Sequence, residues 1–154
     1  MIFVTLGTQD KEFPRLLEAV EKLNVQDEII IQKGSTKFDS QKDNIKTYKF
    51  MSKTKMDQYM KEADVIITHA GVGTIIAGLK LHKKMIVAAR LKQYKEHVND
   101  HQLQILDTFS KAGYIIPLED FDKLEELIKM DFEPKEFKSN NEIFNEKLYE
   151  IINK

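Results

Sequence analysis

Two glycines one residue apart, Gly71 and Gly73, stand between a β-branched run and an apolar stretch of helical spacing. The segment reads Thr68-His69-Ala70-Gly71-Val72-Gly73-Thr74. Glycine lets a backbone approach a ligand closely. A helix opening directly after a strand offers free N–H groups and about half a positive charge to an anion. Thr74 adds a hydroxyl donor. A phosphate or diphosphate fits such a turn on physical grounds. The competing explanation is a tight strand-to-helix turn whose glycines serve packing only. The pattern is not the full GxGxxG dinucleotide signature, and no Gly-Lys-Ser/Thr follows to make a P-loop. His69 ends the strand beside Gly71, where an imidazole either faces a ligand or is satisfied by a backbone partner.

Two other segments have suspicious composition. Gly7-Thr8-Gln9 follows the first apolar run and repeats the strand–glycine–threonine logic, either framing the same ligand or making an ordinary turn. Lys95 to Gln102 gathers hydrogen-bonding side chains at a helix start. There Asn99 or Asp100 suits a helix cap, and Asp100 and Gln102 suit recognition of sugar hydroxyls. His97 and His101 have the i, i+4 spacing of a metal pair, but lack the internal glutamate and third ligand that would make it one. Asp120-Phe121-Asp122 spells DxD and is most simply a helix cap with first-turn acids. Lys80, Lys83, Lys84, Arg90, Lys92 and Lys95 form a locally basic stretch. It is either a solvated face or a surface for anionic lipid or substrate phosphates.

The elements that must position these groups alternate along the chain. Ile2–Leu6, Glu28–Gln32, Ile45–Phe50, Asp64–Ile67, Met85–Ala89 and Tyr114–Ile116 read as short strands. Asp64–Ile67 is the clearest central one, and Ile45–Phe50 is the most exposed. Helices are expected over Phe13–Leu23, after the Ser52 cap, over Ile75–Leu81 and Val98–Lys111, from Asp120, and over Asn140–Asn153. Strands and helices in alternation call for a parallel sheet with helices on both faces, an α/β fold. Ligands of such sheets bind beyond the carboxyl ends of the strands, where strand order reverses. Periodicity breaks at Asp131–Asn141. Residues 1–130 are therefore expected to form the ligand-binding domain, and 131–154 a linker and helix. The apolar face of that helix, Phe144, Leu148, Ile151 and Ile152, either packs on the chain's own sheet or crosses to a partner.

Composition narrows the function classes. Of 154 residues, 42% are hydrophobic and 32% charged, with a formal net charge of -1, so no global positive field serves nucleic acid. Cysteine is absent, which removes disulfides, thiol nucleophiles and thiolate metal sites. No run approaches the roughly 20 apolar residues of a membrane span. The opening residues lack a signal-peptide pattern. A cytoplasmic protein is the expectation.

The motifs together resemble the C-terminal domain of glycosyltransferase family 28. The resembling segments are Phe3–Gln9, Thr68–Arg90 and Glu96–Leu106. The combination of the His69–Thr74 motif with Asp100-His101-Gln102 at this distance is the specific part. Within the family the look is towards free-standing donor-binding subunits, such as bacterial exopolysaccharide or capsule subunits and the eukaryotic dolichol-pyrophosphate GlcNAc transferase pair. The resemblance implies one Rossmann-like domain, half of a GT-B glycosyltransferase, binding a UDP-sugar as substrate with no cofactor and no metal. It places Gly71, Gly73 and Thr74 at the diphosphate, Gly7 and Thr8 closing over it, and Asp100, His101 and Gln102 near the donor sugar; His69, at the strand end beside Gly71, joins the candidate donor-binding set. The chain departs from the pattern at Ala77, where several family members carry a ribose-gripping glutamate.

A GT-B active site lies between two such domains, and this chain has residues for one. The expected function is therefore the donor-binding, catalytic subunit of an inverting UDP-sugar glycosyltransferase. A membrane-associated partner would supply the acceptor side and the general base, act on a lipid-linked glycan acceptor, and hold the complex at the inner face of the membrane. Two other readings stay open: a non-catalytic subunit that binds donor or stabilises the partner, and an unrelated α/β protein for another phosphorylated ligand.

Overall fold

The computed structural model describes residues 1–138 and 140–152. Six strands form one sheet in the order β3-β2-β1-β4-β5-β6: β1 (Ile2–Thr5), β2 (Ile29–Gln32), β3 (Ile45–Tyr48), β4 (Val65–His69), β5 (Lys84–Ala88) and β6 (Ile116–Pro117). Every pairing is parallel, so all carboxyl ends share one edge. The expected α/β class, a Rossmann-like open parallel sheet, is the one observed.

Among the described residues six α-helices connect and cover the strands: α1 (Pro14–Glu21), α2 (Lys53–Glu62), α3 (Val72–Lys80), α4 (His101–Lys111), α5 (Leu124–Lys129) and α6 (Glu142–Ile152). Strand residues alternate between the two faces, as the two-residue strand period requires. Ile2, Val4, Ile29, Ile31, Val65, Ile67 and Ile86 pack under Leu16, Leu17 and Val20 of α1 and Leu124 of α5. Phe3, Ile30, Ile66, Met85 and Val87 pack under α2, α3, α4 and α6 through Met60, Ile75, Leu79, Ile105, Phe109, Phe144 and Leu148. β1 and β4 are buried along their whole length because helices cover both faces and strands cover both sides. β3 lies at a sheet edge and carries half-exposed residues, as its alternation with Lys46 predicted. At the other edge, Pro117 is tolerated in β6 because no strand lies beyond it to need its missing N–H.

Local signals set the helix starts. Pro14 occupies the first turn of α1. The Ser52 hydroxyl accepts from the Lys55 amide and caps α2. Asp120 accepts from the Asp122 amide at a 3-10 turn preceding α5, so the literal DxD is a cap. α6 folds back on its own chain: Phe144 meets Phe109 edge-on at 5.0 Å and Tyr114 at 5.2 Å. Phe144 and Leu148 are therefore covered, whereas Ile143, Tyr149 and Ile152 are exposed. Of the four residues on that apolar face, Phe144, Leu148 and the half-buried Ile151 pack on the chain's own core, and Ile152 is exposed. Asn153 lies outside the described residues.

Candidate functional site

Strand order reverses between β1 and β4, which places the crevice of an open parallel sheet between Gly7–Gln9 and Ala70–Gly73. The expected turns thus meet at the carboxyl edge. A hydrogen-bonded base holds them in place. The Thr68 hydroxyl donates to Thr5 O at 2.8 Å, and the Thr5 hydroxyl donates to Gln32 Oε1 at 2.7 Å. The Gln32 amide then donates to Gly7 O and Lys49 O, each at 3.0 Å.

His69 occupies the centre of the crevice, with only 5% of its surface exposed. Its ring lies between the two turns. A Cβ placed on Gly7 would fall 2.7 Å from Nε2, and one on Gly71 would fall 2.7 Å from Cε1. Gly7 also has φ +74, a left-handed conformation that disfavours a side chain. These two glycines are needed to seat the imidazole. Gly73 differs: nothing lies within 4 Å of the position its Cβ would take. Packing does not explain that glycine.

α3 begins at Val72, three residues earlier than the apolar spacing indicated, with Gly71 as N-cap and no capping side chain. The first intrahelical bond runs from the Ile75 amide to Gly71 O. The amides of Val72, Gly73 and Thr74 have no acceptor among the described residues, as geometry demands of a first turn. At the sheet's carboxyl edge these N–H groups and the helix dipole give the turn a local electrostatic preference for negative charge.

The loop after β5 is different in kind. Arg90 was expected on a basic surface stretch and is instead 1% exposed. Its guanidinium donates to Leu6 O at 2.8 Å and Lys11 O at 2.9 Å, and stacks over the Phe13 ring at 5.2 Å. Burial lowers its pKa to about 10, with Glu96 opposing the shift. Glu96, fully buried, takes a bidentate pair from Arg15 at 2.7 Å per bond and accepts from the Leu91 amide. Arg15 is itself stacked between Tyr94, 4.1 Å from the ring centroid, and Phe121, 4.6 Å away. Lys83 and Lys84 are also committed: their ammonium groups donate to carbonyls ending α2 and α5. Half of the basic stretch is thus structural, while Lys80, Lys92 and Lys95 remain exposed.

Asp100, exposed at the start of α4, accepts from the Lys92 amide at 2.9 Å and so ties down its own loop. Asn99 accepts from the His101 amide at 3.0 Å and turns the chain into the helix, which begins at His101 rather than Val98. His101 and His97 are half-buried, and His97 Nδ1 faces the Asn99 amide at 3.4 Å. Gln102 is buried, with its oxygen on the Arg90 amide at 3.0 Å and its nitrogen on His69 Nδ1 at 3.2 Å. Burial first, then Arg90 and His97, push the His69 pKa down to about 3. His69 is neutral at physiological pH. Thr8 and Asp100 are exposed on this edge, and Thr74 is half-exposed. Thr5, Arg15, Gln32, Thr68 and Glu96 hold the frame and were not singled out from sequence.

A cavity of about 490 Å³ lies between α1 and the 3-10 turn before α5, away from the crevice. The amides of α3 open onto an uncovered edge.

This arrangement can bind an anion but encloses nothing, which fits one half of a two-domain site. The family model for the glycosyltransferase family 28 C-terminal domain matches residues 1–154. The chain belongs to that family. The UDP-N-acetylglucosamine transferase subunit ALG13 of Candida glabrata is 34% identical over 101 residues, covering 62% of this chain and 47% of that protein. Its Saccharomyces cerevisiae counterpart is 35% identical over 72 residues, 46% of this chain and 34% of that one. The match spans a quarter to a half of the length of such curated relatives. The solution structure of ALG13 aligns with a TM-score of 0.59 at 22% identity, over 99% of this chain and 96% of that one. The calicheamicin glycosyltransferase CalG4 aligns at 0.63 and 11% identity, over 97% of this chain but 37% of that one. At these identities the structural likeness concerns the fold.

Proposed function

We propose that this family 28 domain binds the UDP-sugar donor for an inverting glycosyl transfer completed by a second, membrane-associated polypeptide. The observation that carries this reading is the uncovered first turn of α3. Its amides are free, Gly73 meets no packing neighbour, and Gly7 and His69 lie across a crevice at the switch point. The diphosphate would rest on the amides of Val72, Gly73 and Thr74, with Gly7 and Thr8 over it. Asp100 and His101 would stand towards the sugar. The acceptor hydroxyl attacks the anomeric carbon, its proton passes to a base, and the bond from that carbon to the diphosphate oxygen breaks. Negative charge grows on the departing UDP, where the fixed amides and helix dipole stabilise it.

His69 is a poor candidate for the base. Its pKa of about 3 gives the ring little affinity for a proton at neutral pH. The partner therefore supplies the base, the lipid-linked acceptor and attachment to the inner face of a membrane. That division agrees with relatives named as transferase subunits. Assembly of an exopolysaccharide or capsule repeat unit is the process we assign to it. Among the described residues, no helix is long and apolar enough to cross a membrane.

The test is transfer from radiolabelled UDP-GlcNAc to a lipid-linked acceptor in membranes that hold the co-expressed partner. Transfer should require both chains and should be lost with Gly73→Val. Full transfer with Gly73→Val would instead favour the non-catalytic, stabilising role, in which Ala77 marks a missing ribose contact. Transfer by either chain alone would contradict the two-component reading.

A further inference from the structure

The Gln102 side chain has two possible orientations, and its neighbours decide between them. The Arg90 backbone N–H is a donor only, so the atom facing it at 3.0 Å must be the amide oxygen. The amide nitrogen then faces His69 Nδ1 at 3.2 Å and donates to it. A ring nitrogen that accepts a hydrogen bond carries no proton, so the proton of the neutral ring sits on Nε2. That atom lies 2.7 Å from where a Cβ on Gly7 would fall and 2.8 Å from where one on Gly71 would fall, between the two turns. No acceptor for it exists among the described residues, and it is not among the sealed, unsatisfied polar atoms. A glutamine oxygen at Nδ1 would instead hold the ring's proton there. The Arg90 amide takes that oxygen and prevents this. Arg90 and His97 are the charged or titratable groups that reach the ring, while the β1 and α3 sides present glycines.

We propose that Gln102 is a positioning residue rather than a sugar ligand: bridging the Arg90 amide and His69 Nδ1, it fixes His69 as the uncharged Nε2–H tautomer. His69 thereby offers a single hydrogen-bond donor to an anionic oxygen held at the start of α3. The ligand half of this inference rests on the donor-site reading above; the tautomer half does not.

Two experiments on the full chain separate the halves. A long-range 15N–1H spectrum of the free protein reports the His69 tautomer directly. Nε2–H and a bare Nδ1 are expected from about pH 6 to about pH 8.5. A proton on Nδ1, or a doubly protonated ring, overturns the proposal without any variant being made. The second experiment uses Gln102→Glu, which keeps an oxygen for the Arg90 amide but cannot donate to Nδ1. The carboxylate would pull the proton to Nδ1 and raise the ring's pKa. UDP-GlcNAc affinity should then fall about tenfold near pH 8.5, where Nε2 becomes bare, and recover near pH 6 as the imidazolium restores its N–H. The wild type should be flat across that range. A loss equal at every pH marks a purely structural role and overturns the proposal. Failure of wild-type protein to bind UDP or UDP-GlcNAc overturns the donor-site reading and the ligand half together; the spectrum still judges the tautomer.

Discussion

The turn after β4 and the loop after β5 sit side by side on one edge of the sheet and use their polar groups in opposite ways. After β5, almost every group is consumed internally. Arg90 closes on Leu6 and Lys11 carbonyls, Glu96 on Arg15 and the Leu91 amide, and Asp100 on the Lys92 amide. After β4, the amides of Val72, Gly73 and Thr74 have no such partner, and Gly73 stands in open space. Composition drew attention to both segments. Satisfied groups build a frame, and unsatisfied ones at an open edge are left for a ligand.

Four changes probe that contrast. Arg90→Met strands two backbone carbonyls in a buried setting and should cost about 3 kcal/mol, read as a lower urea midpoint. A midpoint within error of the wild type would dissolve the frame half of the comparison. Acidification acts through His69, whose pKa falls from the ordinary 6.5 to about 3 on folding. The unfolded chain therefore binds the proton first. Stability is full above the unfolded value and declines as pH falls from there towards the folded one. His69→Asn should flatten the slope of stability between about pH 6 and 5 by roughly 1 kcal/mol per unit. Equal slopes in chemical denaturation would place the ring in water.

Gly71→Ala forces a Cβ into the His69 ring and should cost about 2 kcal/mol together with UDP affinity. Gly73→Val is the reverse case. With no neighbour within 4 Å, stability should move by no more than about 0.5 kcal/mol. UDP affinity, measured by calorimetry, should nonetheless fall at least about tenfold, since the branched side chain shields the amides. A matched loss of stability at both glycines would show that packing alone explains the pair.

Much of the fold was legible because strands buried on both faces read as unbroken apolar runs: Ile2–Thr5 and Val65–Thr68 are cases. The glycine turn and its place at the switch point were legible too. Apolar spacing alone put the start of α3 at Ile75, because Gly71 and Gly73 are poor helix formers, whereas the anion-site reading already had a helix opening at the glycine turn. The frame was hidden more deeply. Arg15 and Glu96 are 81 residues apart, and charged residue types argue for the surface until a partner is known. Arg90 was placed in a basic surface stretch for that reason. Gln102 was noticed for its polarity, but only its neighbours reveal which way its amide points.

The central claim is that a nucleotide diphosphate rests on the first turn of α3. Titration of 15N-labelled protein with UDP tests it most directly. The largest amide shifts should fall on Val72, Gly73 and Thr74, with smaller ones at Gly7 and Thr8. Shifts confined to the 490 Å³ cavity beside α1, at Glu18, Lys22 and Leu124, would contradict it, as would no shift at all.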